Sequence, residues 1–303
     1  MLDKRATRTI LLIDVMGEAR RAFSIIPEIT DHEGRSINAL IGFHNFMQRI
    51  LQDIPCDGCV AAWSGAGATF RHRIFPEYKS HRSLPESLAN QKELITRYLT
   101  CVGVPQYASS GFEADDILAT LSTKLWQHGF SIVIDTIDKD LCSLVSDRVR
   151  IWNFRTKSLW GVQEVVQKFG VAPNALPDLL ALVGDSTDGI PGVPQVGPKK
   201  AVQLLERFGD TAQLLSRTSE LSEKDRVRIQ AARELILRNL QLTRLIKDVN
   251  LDFEPVLIPK GDISTLQARL SDAGELLKKK DTSFLFGAPF SQQTGAVGQR
   301  LLW

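Results

Sequence analysis

Short apolar runs rich in β-branched residues recur through the first half of the chain, and helical stretches separate them. The runs are "TILLI" (9–13), "GCVAAW" (58–63), "FSIVIDT" (130–136) and "VRIWNF" (149–154). Strands that alternate with helices predict an α/β fold with a largely parallel sheet. Between them, "INALIGFHNFMQRILQDI" repeats Leu40, Phe43, Met47, Ile50, Leu51 and Ile54 at helical spacing. "KELITRYLTCVG" ends at Gly103 and "DDILATLSTKLWQ" near Gly129, each with glycine just past its end. From about residue 160 the strand-like runs stop. "VQEVVQKFG", "LPDLLALVG", "KKAVQLLERFG" and "EKDRVRIQAARELILRNLQLTRLI" predict helices joined by Gly/Pro turns. The 303 residues allow one large or two modest domains. The division expected is an α/β core over 1–184, a helical region over 185–285 and a loosely held tail over 286–303.

Carboxylates gather where such a sheet binds ligands, at the carboxyl ends of its strands. Asp14 ends the first strand, and Asp138 and Asp140 ("TIDKDL") follow the third. "GFEADDILAT" sets Glu113, Asp115 and Asp116 at the start of a helix, whose dipole tolerates anions. Asp185 and Asp188 occupy the turn "GDSTDG". Each alone reads as an ordinary helix or turn cap. Together they are harder to explain, since two like charges at ~4 Å repel by about 4 kcal/mol at a surface-like dielectric. Oxygen ligands without Cys or His favour hard divalent cations, Mg²⁺ or Mn²⁺. So many carboxylates suit two ions, the arrangement used for in-line phosphodiester hydrolysis.

The segment "DGIPGVPQVGPKKAVQLLERFG" (188–209) has Gly192 and Gly197 flanking a short hairpin, then Pro198, Lys199 and Lys200 opening a helix. Glycines admit a close phosphate, and the helix N-terminus offers free N–H groups. This is a helix-hairpin-helix pattern for sequence-independent backbone contact. In "TFRHRIFPEYKSHRSLPE" (69–86), Arg71, Arg73, Lys79 and Arg82 interleave with Phe70, Phe75 and Tyr78. Rings for stacking beside cations for phosphates suit a single-stranded segment or junction. The net charge of +2 gives no support by itself, so local sites must carry that reading. The four cysteines (56, 59, 101 and 142) read as reduced thiols of a cytoplasmic protein, since "CDGC" has no second ligand pair. No run is long and apolar enough for a membrane helix, and "MLDKRATRTILLID" shows no signal-peptide pattern.

Taken in order, "LID…RAF", "TFRH…EYKSHR", "GFEADD", "TIDKD", "LVGDSTDGIPGVPQVGPKKA" and "LLERFG" resemble the 5′ nuclease (flap endonuclease) family. The likeness covers roughly residues 8–250. It is nearest to the 5′–3′ exonuclease domain of bacterial DNA polymerase I and its standalone bacterial and phage relatives. It implies a PIN-like core, a helical arch (about 66–103) and a helix-three-turn-helix DNA-binding element. By the same likeness Asp14, Glu113, Asp115, Asp116, Asp138, Asp140, Asp185 and Asp188 fall on the metal-site carboxylates. Lys79 and Arg82 fall on arch cations at the scissile phosphate, Tyr78 on the arch aromatic and Arg21 on the basic residue after the first strand. Hairpin carbonyls, those of Val193 and Val196, match a monovalent-cation site, usually K⁺.

Three departures stand out. Where the family reads "FDAKGKTFR" this chain reads "WSGAGATFR", so Ser64 replaces a metal-site aspartate. "DGSS" is "DVMG" (Asp14–Gly17), and Ile137 replaces the glycine of "TGDKD". The function expected is therefore a monomeric divalent-metal 5′ nuclease acting on DNA flaps, nicks or single-strand/double-strand junctions. The rival is a structure-specific DNA-binding protein of weakened or lost catalysis.

Overall fold

The computed structural model describes residues 7–253 and 263–287, so most of the expected tail lies outside the described residues. In chain order the first elements are β1 (Thr9–Asp14), α1 (Val15–Ile25), α2 (Asn38–Asp53), β2 (Gly58–Ala62), α3 (Phe70–Ile74), α4 (Glu86–Val102) and β3 (Gln106–Tyr107). Next come α5 (Ala114–Gln127), β4 (Ser131–Asp135), β5 (Val149–Asn153), β6 (Ser158–Trp160), α6 (Val162–Phe169) and α7 (Leu176–Val183). Then follow β7 (Gly184–Asp185), β8 (Ile190–Pro191), α8 (Pro198–Phe208), α9 (Thr211–Ser216), α10 (Glu223–Ala231), α11 (Arg233–Thr243) and α12 (Ile263–Lys278). The described chain forms two compact units, both discontinuous in sequence. The first takes the residues up to 66, 84–137 and those from 247 on; the second takes 67–83 and 138–246.

In the first unit β1, β2, β3 and β4 run parallel in the order β3-β2-β1-β4. Ile10, Leu11, Leu12 and Ile13 are fully buried, as a central strand covered on both faces requires. Helix α5 packs on β1, β2 and β4, while α1, α2, α4 and α12 pack on one another. In α4 the residues Leu88, Leu94, Ile95, Tyr98 and Leu99 face inward, and the helix stops at Gly103, whose φ of 84° is left-handed. The order of strands matters for function. Chain connections step from β1 to β2 and β3 on one side and then return to β4 on the other. The resulting switch point, between the ends of β1 and β4, is where open α/β sheets bind ligands.

The second unit is mainly helical. Strands β5 and β6 form an antiparallel hairpin, with Ile151 opposite Trp160. Helix α7 packs on α8 and α11. Buried Asn239 of α11 donates to Ala181 O (3.1 Å) and Pro191 O (2.7 Å), tying α11 to α7 and β8. On α8, Ala201, Leu204, Leu205 and Phe208 make the inward stripe expected of an amphipathic helix. Strand structure does not end at residue 160, contrary to the sequence expectation. Gly184 and Asp185 pair with Pro191 and Ile190 in a two-residue ladder too short to carry any periodicity.

Candidate metal centre and nucleic-acid interface

At the carboxyl edge of the first unit, the strands end level: Asp14 is in register with Ala62, and Ile13 with Asp135. Asp14 is both the last residue of β1 and the N-cap of α1, its Oδ1 accepting from Gly17 N at 3.0 Å. Glu113 is the N-cap of α5, with Asp115 and Asp116 in its first turn. Asp116 is fully buried, and its Oδ2 accepts from Glu113 N at 3.2 Å. Ser64 lies just past β2, and its Oγ accepts from Ala114 N at 3.1 Å. Ser64 therefore serves as an additional cap for α5. Glu18, one turn into α1, is buried and paired with Arg21. Burial pushes its carboxyl above the usual range, and Arg21 counters that.

Asp135 is the residue sequence reasoning missed. It ends β4 as Asp14 ends β1, and "LLID" beside "IVID" was the available signal. The side chain is fully buried, and neither oxygen has a hydrogen-bond partner. Burial raises its pKa well above the ordinary carboxylate value, helped by the negative charges of Glu18 and Asp14.

In the second unit the structure brings Asp140, Asp185 and Asp188 together, with one oxygen from each within 4.8 Å of the others. All three are buried. Asp138 holds the turn, its Oδ1 accepting from Asp140 N at 3.0 Å. Lys139 Nζ lies 2.6 Å from Asp185 Oδ1, which also accepts from Thr187 N at 2.9 Å. Asp188 Oδ1 accepts from Arg82 Nη2 (2.7 Å), and its Oδ2 accepts from the Tyr78 hydroxyl (3.1 Å). Asp140 Oδ1 has no partner. Burial, then the charges of Asp138, Asp188 and Asp185, raise the Asp140 carboxyl well above its ordinary value. A buried orphan oxygen among three carboxylates fits the oxygen-only ligands that a hard divalent cation takes. Asp14, Glu113, Asp115 and Asp116 form no such three-ligand group among the described residues.

Several residues expected to face DNA have other partners. Arg71 is 2% exposed; its Nε donates to Leu242 O (2.8 Å) and its Nη2 to Arg244 O (3.1 Å). These are carbonyls at the end of α11, so Arg71 is an internal tie rather than a phosphate contact. Tyr78 is also 2% exposed and packs with Ile190 and Leu242, which leaves no free ring face for a base. Its edge contact with His72 covers the ring further. Arg21 lies over the Phe46 ring. Lys200 pairs with Asp225 at 2.7 Å, whereas Lys199 is exposed at the start of α8. The two hairpin glycines differ. A Cβ on Gly192 would lie 2.0 Å from Val183 O, while a Cβ on Gly197 would meet nothing within 4 Å. Gly192 is thus required by the chain's own packing. Val193 and Val196 are buried, and Val193 O accepts from Val196 N at 3.0 Å.

Residues 9–170 match the family model of the 5′-3′ exonuclease N-terminal resolvase-like domain, and 171–264 that of the 5′-3′ exonuclease C-terminal SAM fold. The chain belongs to the 5′-3′ exonuclease family. It is 30% identical over 282 residues to a 5′-3′ exonuclease of Aquifex aeolicus, covering 91% of this chain and 96% of that one. It is 35% identical over 249 residues to DNA polymerase I of Rhizobium leguminosarum. That match covers 79% of this chain and only 24% of the polymerase. Among solved structures, the T5 5′-exonuclease with bound divalent zinc ions shares the fold. Its TM-score is 0.66 at 19% identity, covering 90% of this chain and all of that one. The T5 D15 flap endonuclease in a pseudo-enzyme-product complex with DNA and metal ions also has a TM-score of 0.66, at 19% identity, covering 89% and 100%.

Proposed function

We propose that the protein is a divalent-metal-dependent 5′-3′ exonuclease and flap endonuclease that hydrolyses DNA phosphodiester bonds at 5′ ends, flaps or nicks. The observation that carries this reading is the buried triad Asp140, Asp185 and Asp188 with its orphan oxygen. These residues, with Asp138 beside them, would hold Mg²⁺ or Mn²⁺. In the first unit Asp14, Glu113, Asp115 and Asp116 offer a second set of oxygens at a strand edge and a helix start. A bound ion would supply an activated water or stabilise the leaving oxygen of an in-line displacement. The chain's own part is to orient and to balance charge. Lys79 and Arg82 provide the cations for a scissile phosphate, and preorganised donors of that kind oppose charge that grows in the transition state. Lys199, Gly197 and the N-terminus of α8 provide contact with a phosphate backbone without reading bases. The carbonyls of Val193 and Val196 are the candidates for K⁺. The enzyme acts as a monomer in the cytoplasm, in keeping with four free cysteines and with no described helix long and apolar enough to cross a membrane.

The direct test is cleavage of a 5′-flap duplex in Mg²⁺, Mn²⁺ or EDTA. Cleavage with either ion and none in EDTA is expected; full activity in EDTA would end the metal reading. The second reading, a DNA-binding protein of lost catalysis, rests on Ser64 at a metal-site position. It prevails if flaps are bound and never cut at any metal concentration.

A further inference from the structure

Within the triad, Asp188 differs from Asp140 in that both its oxygens are engaged. Arg82 takes Oδ1, the Tyr78 hydroxyl takes Oδ2, and Lys79 Nζ lies 3.6 Å from the same Oδ2. The backbone reinforces this. Lys79 N donates to Asp188 O at 2.9 Å, and Arg82 Nε to Thr187 O at 3.2 Å. Lys79 has a φ of 52°, a left-handed conformation that a residue with a Cβ adopts only when its surroundings hold it there. The three anchors are not equally fixed. Tyr78 is packed in a small apolar cluster with Ile190 and Leu242, whereas the Arg82 side chain is 35% exposed and is held by its hydrogen bonds to Asp188 and Thr187.

We propose that Asp188 is a shared carboxylate on which Arg82 holds the place of a divalent cation, so that loading of the triad expels Arg82 toward the substrate phosphate. Tyr78 stays behind as the positioning residue that keeps Asp188 aimed at the triad. This rests on the reading of the triad as a divalent-cation site. A guanidinium at 2.7 Å and a divalent ion on the same carboxylate repel each other strongly. Asp138, Asp140, Asp185 and Asp188 already have Lys79, Arg82 and Lys139 among them, so an added dication leaves one of those cations in excess. Lys139, 32% exposed, pairs with Asp185, so of the two cations on Asp188 it is Arg82, at 35% exposure against 14% for Lys79, that has the more open path. Its departure would expose the cation that a phosphate needs only once an ion is bound, which links ion loading to substrate engagement.

The test uses the full chain without DNA, with Mg²⁺ as the probe. Mg²⁺ affinity is measured by calorimetry for wild type, Arg82→Gln, Arg82→Lys, Tyr78→Phe and Asp185→Asn. Amide hydrogen exchange of residues 77–83 is followed with and without Mg²⁺. Arg82→Gln is expected to bind Mg²⁺ at least threefold more tightly than wild type, and Arg82→Lys to stay near wild type. Tyr78→Phe is expected to bind several-fold more weakly. Saturating Mg²⁺ is expected to speed exchange at residues 79–82 at least threefold, the opposite of the protection a ligand ordinarily gives. Unchanged or weaker binding by Arg82→Gln, or protection of the segment by Mg²⁺, would overturn the proposal while leaving the triad as a metal site. If wild type bound no Mg²⁺, or Asp185→Asn bound it as well as wild type does, the underlying metal reading would fall instead.

Discussion

At the ends of β1 and α5, Asp14 and Asp116 accept hydrogen bonds from backbone amides, whereas Asp185 and Asp188 in the second unit are held by Lys139, Lys79 and Arg82. Both arrangements soften repulsion among acids, but they differ in what an arriving cation must disturb. An amide is part of the fold and stays where it is. A lysine or arginine side chain can swing away, at the cost of the charge pairing it leaves. At Asp188 an arriving cation would have to displace the Arg82 and Lys79 side chains, whereas the amide bonds at Asp14, Asp116 and, from Thr187, at Asp185 belong to the backbone. Asp135 fits neither pattern, being buried with no partner of either kind.

The largest test of this contrast removes one acid from each side. Asp185→Ala and Asp116→Ala are each expected to lower cleavage by ~10²–10³-fold, the scale seen when preorganised electrostatic stabilisation is lost. DNA affinity should survive in both, which gel-shift titration would check. Loss of binding in parallel with cleavage would make these acids structural caps and erase the distinction.

A second test separates packing from phosphate contact in the hairpin. Gly192→Ala forces a Cβ to within 2.0 Å of Val183 O and should destabilise the fold by about 1–3 kcal/mol, as overpacked sites do. Gly197→Ala meets open space, so its melting temperature should hold while duplex affinity falls. Thermal melts and salt-dependent binding would distinguish the two. If Gly192→Ala melted like wild type, the steric reading would be wrong.

The third addresses the partnerless acid. The folded-state pKa of Asp135 is raised above its unfolded value, so the folded protein binds the proton more tightly. The resulting stabilisation is fully present below the unfolded pKa of about 3.9 and is lost as pH rises through the folded pKa. Asp135→Asn carries no such titration. Its stability relative to wild type should be higher at pH 7 than at pH 4, by about 1–3 kcal/mol, the scale of an unmet buried polar group. Equal differences at both pH values would show that Asp135 has a partner in solution.

The smallest effect is expected at Ser64. Ser64→Asp can keep the acceptor for Ala114 N and adds a hard anionic oxygen beside the amide-held acids. A several-fold gain in cleavage at low Mg²⁺, vanishing at high Mg²⁺, is expected from parallel titrations. Identical curves would mean that the position is no longer a ligand site.

How much of this could be read beforehand depended on the length of each signal. β1, β2 and β4 announce themselves because four or more buried residues in a row leave a clear apolar run. β3, β7 and β8 are two residues each and leave none. "GDSTDG" and "TIDKDL" pointed to the triad because carboxylates in turns are conspicuous, and the structure gathers three of those four acids. Arg71 and Tyr78 misled because a basic, aromatic stretch reads as surface. Nothing local says that an arginine at 71 will find carbonyls at 242 and 244. Asp135 was legible in principle, as the twin of Asp14 at the end of a strand. The stronger "TIDKD" pattern directly after it masks that signal.

The division of the chain has a consequence for its birth on the ribosome. Helix α12 packs on α2 and α4, and Thr282 donates to Asp31 at 2.6 Å across 251 positions. Residues 138–246, the bulk of the second unit, emerge before that clasp can form. A nascent chain halted near residue 246 would thus have the means to build most of its second unit while α2 and α4 still lacked their last neighbour. The first described strand and the last described α-helix belong to the same unit, so that unit is begun before the bulk of the second emerges and completed after it.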